Sequence, residues 1–341
     1  MHPDGERRGS VWGVTVNEIA RICGVSRTTV LRALNNQSRV SDKTRRQVLE
    51  VARELGYRPN LLARSLNTGR TMTLGIVAIN MDSLIFVQTL SAINTEAQRK
   101  GYSLNIALHG QSSEAEMQRI RDFTDRRMEG ILLSPISKGP EFERFVLSLG
   151  IPVVCIGNHV SEKISTVMID EELATREAVR LIASRGYRRI VFVCPPLAYE
   201  SQQNIYSHIR RKRGLEAEIA LHPGLSCQII ASDDYVQQLS PVLGTLGDVR
   251  TAILCSGDIY ALNIMRYFKA HKIKTPRDVG IMGFDNISIL EYIVPRLTTV
   301  STNVENVAVV AVNELISQIE GDRAVAKKIV LPHKILDMET L

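Results

Sequence analysis

The sequence predicts two parts of different fold class, a small all-α head at the N-terminus and a larger α/β body. Three observations support the division. The excess positive charge lies in the first fifth of the chain, two short capped helices lie close together there, and short apolar runs alternate with helical stretches from Met72 onward. We therefore expect the head at residues 14–58, a linker at 59–71 and the body at 72–341.

Length and composition indicate a globular protein with several lobes. The chain has 341 residues, more than one hydrophobic core usually serves. It contains no apolar run of about 18 residues, and residues 1–13 lack the apolar stretch of a signal peptide. We expect a disordered or tag-like tail at 1–13 and a location in the bacterial cytosol. The five cysteines are far apart, which favours reduced thiols over a metal or cofactor site.

The distribution of charge points to nucleic acid. The net charge is +6, yet residues 1–72 hold 13 Lys and Arg against 6 Asp and Glu, so the remainder is close to neutral. A basic head on a neutral body is typical of a protein that binds nucleic acid. A small helical bundle with a solvated basic face would also fit this distribution.

The head contains a predicted helix-turn-helix. Thr15 and Glu18 have the spacing of a capping box, in which each side chain bonds to the other residue's amide. Gly24 ends this first helix, and Ser26 can cap the second helix two residues later. A third helix is expected to begin near Ser41 and to close a three-helix core.

The second helix of such a motif reads the major groove with its N-terminal residues. Here those residues are Arg27, Thr28, Thr29 and Arg32. Arginine can form two hydrogen bonds to guanine, and threonine can contact a thymine methyl group. This second helix is therefore expected to carry the base contacts.

Several head motifs occur together in one order and resemble a known family. They are the stretch from Val14 to Asn35 (VTVNEIARICGVSRTTVLRALN), ELGYRPN ending at Asn60, and ARSL ending at Leu66. This segment resembles the DNA-binding head of the lactose-repressor (LacI/GalR) family. The resemblance implies that ARSL is a hinge helix within 59–71 whose leucine, Leu66, wedges into the minor groove. It implies these DNA-binding residues: Thr15, Asn17, Ser26, Arg27, Thr28, Thr29, Arg32, Asn35, Arg39, Tyr57, Arg64 and Leu66.

The body reads as alternating strands and helices. Such alternation predicts parallel sheets with helices on both faces, and the number of strands suggests two doubly wound sheets. The expected strands are 74–79, 104–108, 130–133, 153–156, 190–194, 228–230, 251–255 and 279–282, with helices near 86–100, 171–184 and 260–270.

The body also resembles the same family, through RMEGI at 127–131, GIPVV at 150–154, GYRRIV at 186–191, VGIMGFDN at 279–286 and PRLTTV at 295–300. The resemblance implies a periplasmic-binding-protein-like sensor of two lobes joined by three crossovers. Lobe 1 is expected at about 72–160 and 297–322, and lobe 2 at about 161–296 and 323–341. The ligand is expected in the cleft between the lobes, at the carboxyl ends of the strands.

Polar and aromatic residues near the strand ends are the candidates for this cleft. The arginine that many sugar-sensing members carry is replaced, and its position is taken to be Gln202; the usual asparagine before Asp258 is Gly257. Asp258 has an alternative role as a helix cap. The expected ligand-binding residues are Phe86, Ser134, Asn158, Gln202, Tyr235, Asp258 and Asp285.

The resemblance implies a transcription regulator, a repressor, that binds operator DNA as a homodimer or tetramer and responds to a small effector, expected to be a carbohydrate. Whether the effector releases or recruits DNA stays open. Three other classes of protein fit the sequence less well. The sequence contains no recognisable catalytic motif of the kind that would indicate an enzyme. A transport-binding protein would not need the basic head, and an architectural DNA protein would not need the large body.

Overall fold

The computed structural model describes residues 14–57, 65, 69–201, 204–246, 249–321 and 325–341. Internal contacts divide the chain into two units at the boundary between Thr71 and Met72, and each unit is described by itself. The tail expected at 1–13 lies outside the described residues, as does most of the expected linker at 59–71.

The head is a three-helix unit, with α1 at Val16–Cys23, α2 at Arg27–Leu34 and α3 at Asp42–Glu54. The Thr15–Glu18 capping box is present, and Gly24 ends α1 in the left-handed conformation. The Ser26 and Ser41 hydroxyls accept hydrogen bonds from amides in the first turns of α2 and α3. The helices bury a small apolar core formed by Ile19, Ala20, Cys23, Val30, Ala33, Val48 and Ala52.

The first sheet of the body has six parallel strands. They are β1 (Thr73–Ala78), β2 (Ser103–Leu108), β3 (Gly130–Leu133), β4 (Val153–Ile156), β5 (Ser165–Ile169) and β11 (Lys328–Leu331). Their order is β11-β5-β4-β3-β1-β2, and every neighbouring pair is parallel.

The second sheet repeats this order with different strands. They are β6 (Arg189–Cys194), β7 (Ser226–Ala231), β8 (Thr251–Cys255), β9 (Gly280–Asp285), β10 (Thr298–Ser301) and β12 (Lys334–Leu336). The order is β12-β10-β9-β8-β6-β7. The edge strand β12 runs antiparallel to β10, so this sheet is mostly rather than wholly parallel.

Helices cover both faces of each sheet, which makes both sheets doubly wound. The chain order of the helices is α4 (Leu84–Arg99), α5 (Ser113–Asp125), α6 (Pro140–Ser148), α7 (Glu171–Ser184), α8 (Tyr206–Ile219), α9 (Tyr235–Gln238), α10 (Ser240–Leu243), α11 (Asp258–Ala270) and α12 (Val304–Ile319), with 3₁₀ turns at Leu197–Ser201 and Ser288–Tyr292. Helix α12 packs on α4 and on β3, β4 and β5, and α7 packs on α8. Separate apolar clusters lie on the outer faces of the two sheets.

We call the first sheet with its helices lobe 1 and the second sheet with its helices lobe 2. The expected lobe boundaries need correction, because they assigned 161–169 to lobe 2 and 297–301 to lobe 1. Strand β5 pairs with β4 and so extends lobe 1, while β10 pairs with β9 and so extends lobe 2. The expected segment 323–341 is divided, since β11 belongs to lobe 1 and β12 to lobe 2. The chain passes between the lobes after β5, β10 and β11.

In the part of the chain that the structure describes, none of the helices combines the length and the apolar character needed to cross a membrane.

Candidate nucleic-acid interface and ligand cleft

The exposed surface of the head concentrates polar and cationic side chains at the start of α2. Arg27 and Thr28 are exposed, whereas Arg32 is half-buried. The Thr29 hydroxyl lies 2.9 Å from the Ser26 hydroxyl, and both belong to the N-cap of the helix. Arg27 and Thr28 in the first turn, and Arg32 in the last turn, therefore remain the side chains of α2 with most freedom to meet a base edge.

The other predicted DNA-binding residues lie elsewhere in the head or beyond the described part. Thr15, Asn17, Asn35 and Arg39 are exposed. Tyr57 packs against the head core, where burial raises the pKa of its phenol and the charge of Arg27 partly offsets that rise. Arg64 and Leu66 lie outside the described residues, so the hinge wedge stays a prediction.

Sequence reasoning missed Arg45, which organises the loop between α2 and α3. Its guanidinium donates to the side-chain oxygen of Asn36 and, at 2.8 Å, to the carbonyl of Gln37. Asn36 and Arg39 both have positive φ, a conformation that tight turns need. Arg45, a side chain of α3, thus fixes the loop that carries Arg39.

The body contains a cavity of about 510 Å³ between its two lobes. This volume falls within the range of small-molecule sites, about 300–1,000 Å³. The wall formed by lobe 1 is largely apolar and includes Ile76, Ile79, Phe86, Ile136 and Ile156. Several lining residues follow directly on β1, β3 and β4, and Asp285 is the last residue of β9, so the cavity lies at the carboxyl ends of the strands.

The wall formed by lobe 2 carries a buried cluster of three charges. Arg211 on α8 is 6% exposed and donates from Nε to Glu171 Oε2 at 2.7 Å and from Nη2 to Asp285 Oδ1 at 3.2 Å. Its Nη1 donates to the carbonyl of Ser256 at 2.6 Å, and its guanidinium carbon lies 3.6 Å from the centre of the Phe284 ring. Arg211 is thus fixed by three hydrogen bonds and an aromatic face.

Burial shifts the protonation of the groups around Arg211. Burial raises the pKa of Asp285 to about 6, although the Arg211 charge opposes that rise. Burial, assisted by the Arg211 charge, lowers the pKa of His208 to about 3, so its ring is neutral near pH 7. His208 Nδ1 lies 2.7 Å from the Ser256 hydroxyl. The cluster therefore presents two carboxyl groups, one guanidinium and one neutral imidazole.

Four of the seven predicted ligand residues line the cavity: Phe86, Ser134, Asn158 and Asp285. Gln202 lies outside the described residues. Tyr235 does not line the cavity; its hydroxyl accepts from Asn263 at 2.8 Å, and its ring packs edge-on against Tyr260, which does line it.

Asp258 is wholly buried and does not line the cavity. Its Oδ2 accepts from the Ile287 amide at 2.9 Å, and its Oδ1 accepts from the Thr299 hydroxyl at 2.6 Å. It also forms no helix-cap hydrogen bond. Its carboxyl group joins α11 to the segments after β9 and in β10, so its place in the fold is structural.

Asn158 connects the two lobes rather than presenting a free amide to the cavity. Its Nδ2 donates to the carbonyls of Pro135, in lobe 1, and Asn204, in lobe 2, at 3.2 and 2.7 Å. Its Oδ1 accepts from both the amide and the hydroxyl of Ser207. The Asn204 amide group in turn donates to the carbonyl of His159 at 3.1 Å. These bonds hold the lobes together along one side of the cleft.

The sequence prediction placed the replaced arginine at the position of Gln202 and did not anticipate Arg211, nine residues further on, which lines the cleft. Sequence reasoning also missed Glu171, His208 and Tyr260. Ser207, His208, Arg211, Gly214 and Leu215 do share one helical face, a spacing that could have placed Arg211 inward. A Cβ at Gly214 would lie 2.3 Å from the Glu172 carbonyl oxygen, so this glycine marks the close contact with α7 that buries Arg211.

Comparisons with known proteins agree with both parts of the structure. Residues 15–60 match the profile of bacterial regulatory proteins of the lacI family, and residues 179–338 match a periplasmic binding protein-like domain. The probable HTH-type transcriptional repressor ExuR of Bacillus subtilis is 28% identical over 327 residues, covering 93% of this chain and 95% of the relative.

Two solved structures show the same fold. The lac repressor dimer bound to operator and the anti-inducer ONPF aligns with a TM-score of 0.82 at 21% identity, over 96% of this chain and 99% of that one. A periplasmic binding protein/LacI transcriptional regulator from Alkaliphilus metalliredigens, complexed with D-xylulofuranose, aligns with a TM-score of 0.68 at 24% identity, over 79% of this chain and 98% of that one.

A helix-turn-helix head followed by a periplasmic-binding-protein-like body defines a class of DNA-binding transcription regulators. This chain belongs to the lacI family of bacterial regulatory proteins. Its named relatives are transcription regulators, a class of protein that is not enzymatic.

Proposed function

We propose that this protein is a cytoplasmic, sequence-specific transcriptional repressor whose affinity for operator DNA is set by a small hydroxylated effector, a carbohydrate, in the inter-lobe cleft. The observation that carries the proposal is the cavity of about 510 Å³ with the Arg211 cluster on one wall and an apolar surface on the other. Carboxylates and a guanidinium can bond to sugar hydroxyls, and apolar side chains can pack on the ring.

The head supports the DNA-binding part of the proposal. Arg27, Thr28 and Arg32 lie on the helix that enters the major groove in helix-turn-helix proteins. The described head residues 14–57 hold eight Lys and Arg against four Asp and Glu, which favours attraction to phosphates. The lac repressor, which shares the fold, is bound to its operator in the solved complex.

Selection of bound fragments from random DNA tests this part. The full chain is expected to enrich one nearly palindromic sequence; equal enrichment of all sequences would reject sequence-specific regulation. Arg32→Ala should cost about 1–3 kcal/mol of binding free energy and relax the preference at one base position. Lys43→Ala, in the exposed first turn of α3, is the matched control, and it should weaken binding to all sequences alike.

We propose further that the protein is a homodimer joined through its bodies. Exposed apolar side chains begin α4, at Leu84 and Val87, and continue on the segment after β9 at Ile289, Tyr292 and Val294. Gln88 accepts a hydrogen bond from the Ser288 amide at 2.8 Å, so the two groups adjoin across the lobes. Two paired bodies would present two heads to a palindromic operator.

Sedimentation of the purified chain tests the dimer. Tyr292 is 78% exposed, and Tyr292→Glu is expected to shift the protein from dimer to monomer. Leu221→Glu, at another exposed apolar position, is the control and should leave the sedimentation coefficient unchanged. A wild-type protein that sediments as a monomer at micromolar concentration would contradict the dimer.

A further inference from the structure

Each carboxyl group of the Arg211 cluster has one oxygen that remains available. Glu171 is 5% exposed and lines the cavity; its Oε2 accepts from Arg211, but Oε1 has no hydrogen-bond partner among the described residues. Asp285 also lines the cavity, and its Oδ2 likewise has no partner in the described part of the chain. Neither oxygen is fully enclosed by protein, so each can accept a hydrogen bond from a group bound in the cavity.

The formal charges in the cavity do not balance. Among the described lining residues, Arg211 is the only cation, and it faces two carboxyl groups. His208 adds no charge because its imidazole is buried and neutral. With both carboxyl groups ionised, the wall carries one negative charge in excess.

Among its described residues, the rest of the wall adds no further cation. The lobe 1 side consists of apolar residues with isolated hydroxyl and amide groups, and the amide of Asn158 is already fully bonded. A ligand bearing a carboxylate would add to the excess negative charge. A neutral polyol would supply donors but would leave the charge uncompensated, whereas an ammonium group would supply three donors and the missing positive charge.

We propose that the effector is an amino sugar or a similar amine-bearing polyol, with its ammonium group bound between Glu171 and Asp285. The proposal rests on the proposed effector site and narrows its ligand class. The ring of the ligand would lie against the apolar wall near Phe86, and its hydroxyl groups would reach His208 and Ser134.

A matched panel tests the wild-type protein. Glucosamine and galactosamine are compared with glucose and galactose, and with glucuronate and galacturonate, by thermal shift and then by calorimetry. An amine is expected to raise the melting temperature and to bind at least about tenfold more tightly than its neutral counterpart, with the acids weakest. Preferential binding of a neutral sugar or an acid would overturn the proposal, and so would the failure of every amine to bind.

Glu171→Gln removes the charge of this side chain while keeping its shape. Glutamine retains an acceptor for Arg211 Nε but removes the excess charge, so the preference for the amine over the neutral sugar should fall by about tenfold or more. Glu172→Gln is the control, because Glu172 pairs with Arg210 at 3.0 Å and does not line the cavity. If Glu171→Gln weakens both sugars equally, Glu171 is not an ammonium site and the proposal fails.

The same preparation separates this inference from the proposed function. If the protein selects an operator from random DNA but shows no preference for amines, the proposed regulatory function stands and the amine-bearing effector is rejected. If it binds amines but selects no DNA sequence, the ligand class stands and the regulatory function is rejected.

Discussion

The two lobes of the body share a strand order but contribute opposite chemistry to the cleft between them. Lobe 1 supplies an apolar wall that includes Ile76, Phe86 and Ile156, whereas lobe 2 supplies Arg211, Asp285 and His208. The shared order places equivalent strand ends at the cleft, yet it does not determine which side chains stand there. The fold therefore determines where the site lies, and the side chains alone determine which ligand it binds.

The two walls of the cleft also differ in how much they stabilise the folded protein. An apolar wall gains stability from burial, while a buried charge cluster gains little net stability, because desolvation offsets the attraction between its charges. The Arg211 cluster is therefore better explained by ligand recognition than by folding. Changes in the two walls should accordingly affect stability and binding in different proportions.

The largest expected effect comes from breaking the charge cluster. Arg211→Met would leave Glu171 and Asp285 buried without a cation, and should lower the free energy of unfolding by about 3–5 kcal/mol in urea titrations. The combined neutral variant Arg211→Met, Glu171→Gln, Asp285→Asn should recover most of that loss. Arg210→Met, which breaks a partly exposed pair with Glu172, is the control and should cost less than about 1 kcal/mol. Equal losses at 210 and 211 would contradict a special role for the buried cluster.

The stability of the protein should depend on pH through the ionisation of the buried Asp258 in lobe 2. Burial, with the nearby charge of Asp285, raises the pKa of Asp258 from 3.8 to about 7. The fold thus favours the protonated acid. The resulting contribution to the free energy of unfolding is fully present below pH 3.8 and is lost as the pH rises through about 7. Relative to wild type, Asp258→Asn should gain about 3 kcal/mol of unfolding free energy between pH 4 and pH 7.

Asp278→Asn provides the control of opposite sign. Its side chain bonds to Arg277, which lowers the pKa of Asp278, so its contribution is present above pH 3.8 and is lost as the pH falls through the lowered value. Chemical unfolding at a series of pH values measures both variants. An Asp258→Asn profile parallel to that of wild type would contradict the raised pKa.

Removing the connection between the lobes should weaken ligand binding moderately. Asn158→Ala removes bonds to Asn204 and Ser207 across the cleft, and should lower effector affinity by about tenfold while increasing the radius of gyration of the free protein. Asn105→Ala, whose side chain contacts Met128 within lobe 1, is the control. An unchanged radius and affinity in Asn158→Ala would mean that these bonds do not keep the lobes closed.

The smallest expected effect comes from the apolar wall. Phe86→Ala should weaken effector binding by about 0.5–1.5 kcal/mol, because the ring offers a flat surface for the ligand. Gln98→Ala, at an exposed position of the same helix, is the control for calorimetry. A loss of affinity for the amine in Phe86→Ala larger than that in Glu171→Gln would contradict the proposal that lobe 2 supplies the main contacts to the effector.

The head was predictable because its determinants are local. The capping box at Thr15 and Glu18 and the cap at Ser26 each depend on residues three positions apart, and the structure contains all of them. Strand β5 was missed because a loop rather than a helix separates it from β4, so the alternating pattern gave no sign of it. Strand pairing, not sequence order, decides which lobe such a segment joins.

The cleft was only partly predictable, because its chemistry depends on contacts between distant segments. Asp285 follows from its place at a strand end, but Asp258 has a similar place and is turned towards Ile287 and Thr299 instead. Arg211 becomes a cleft residue because Gly214 allows α8 to approach α7, and that approach joins segments about forty residues apart in the sequence. No spacing within α8 alone identifies Glu171 as its partner.

The most direct test of regulation by the cleft is reciprocal linkage between effector and operator. The panel member that stabilises the protein most is titrated with and without the selected operator, and the operator is titrated with and without that ligand. Each is expected to change the affinity of the other by the same factor, about 5- to 150-fold. A ligand that occupies the cleft yet leaves operator affinity unchanged would contradict this expectation.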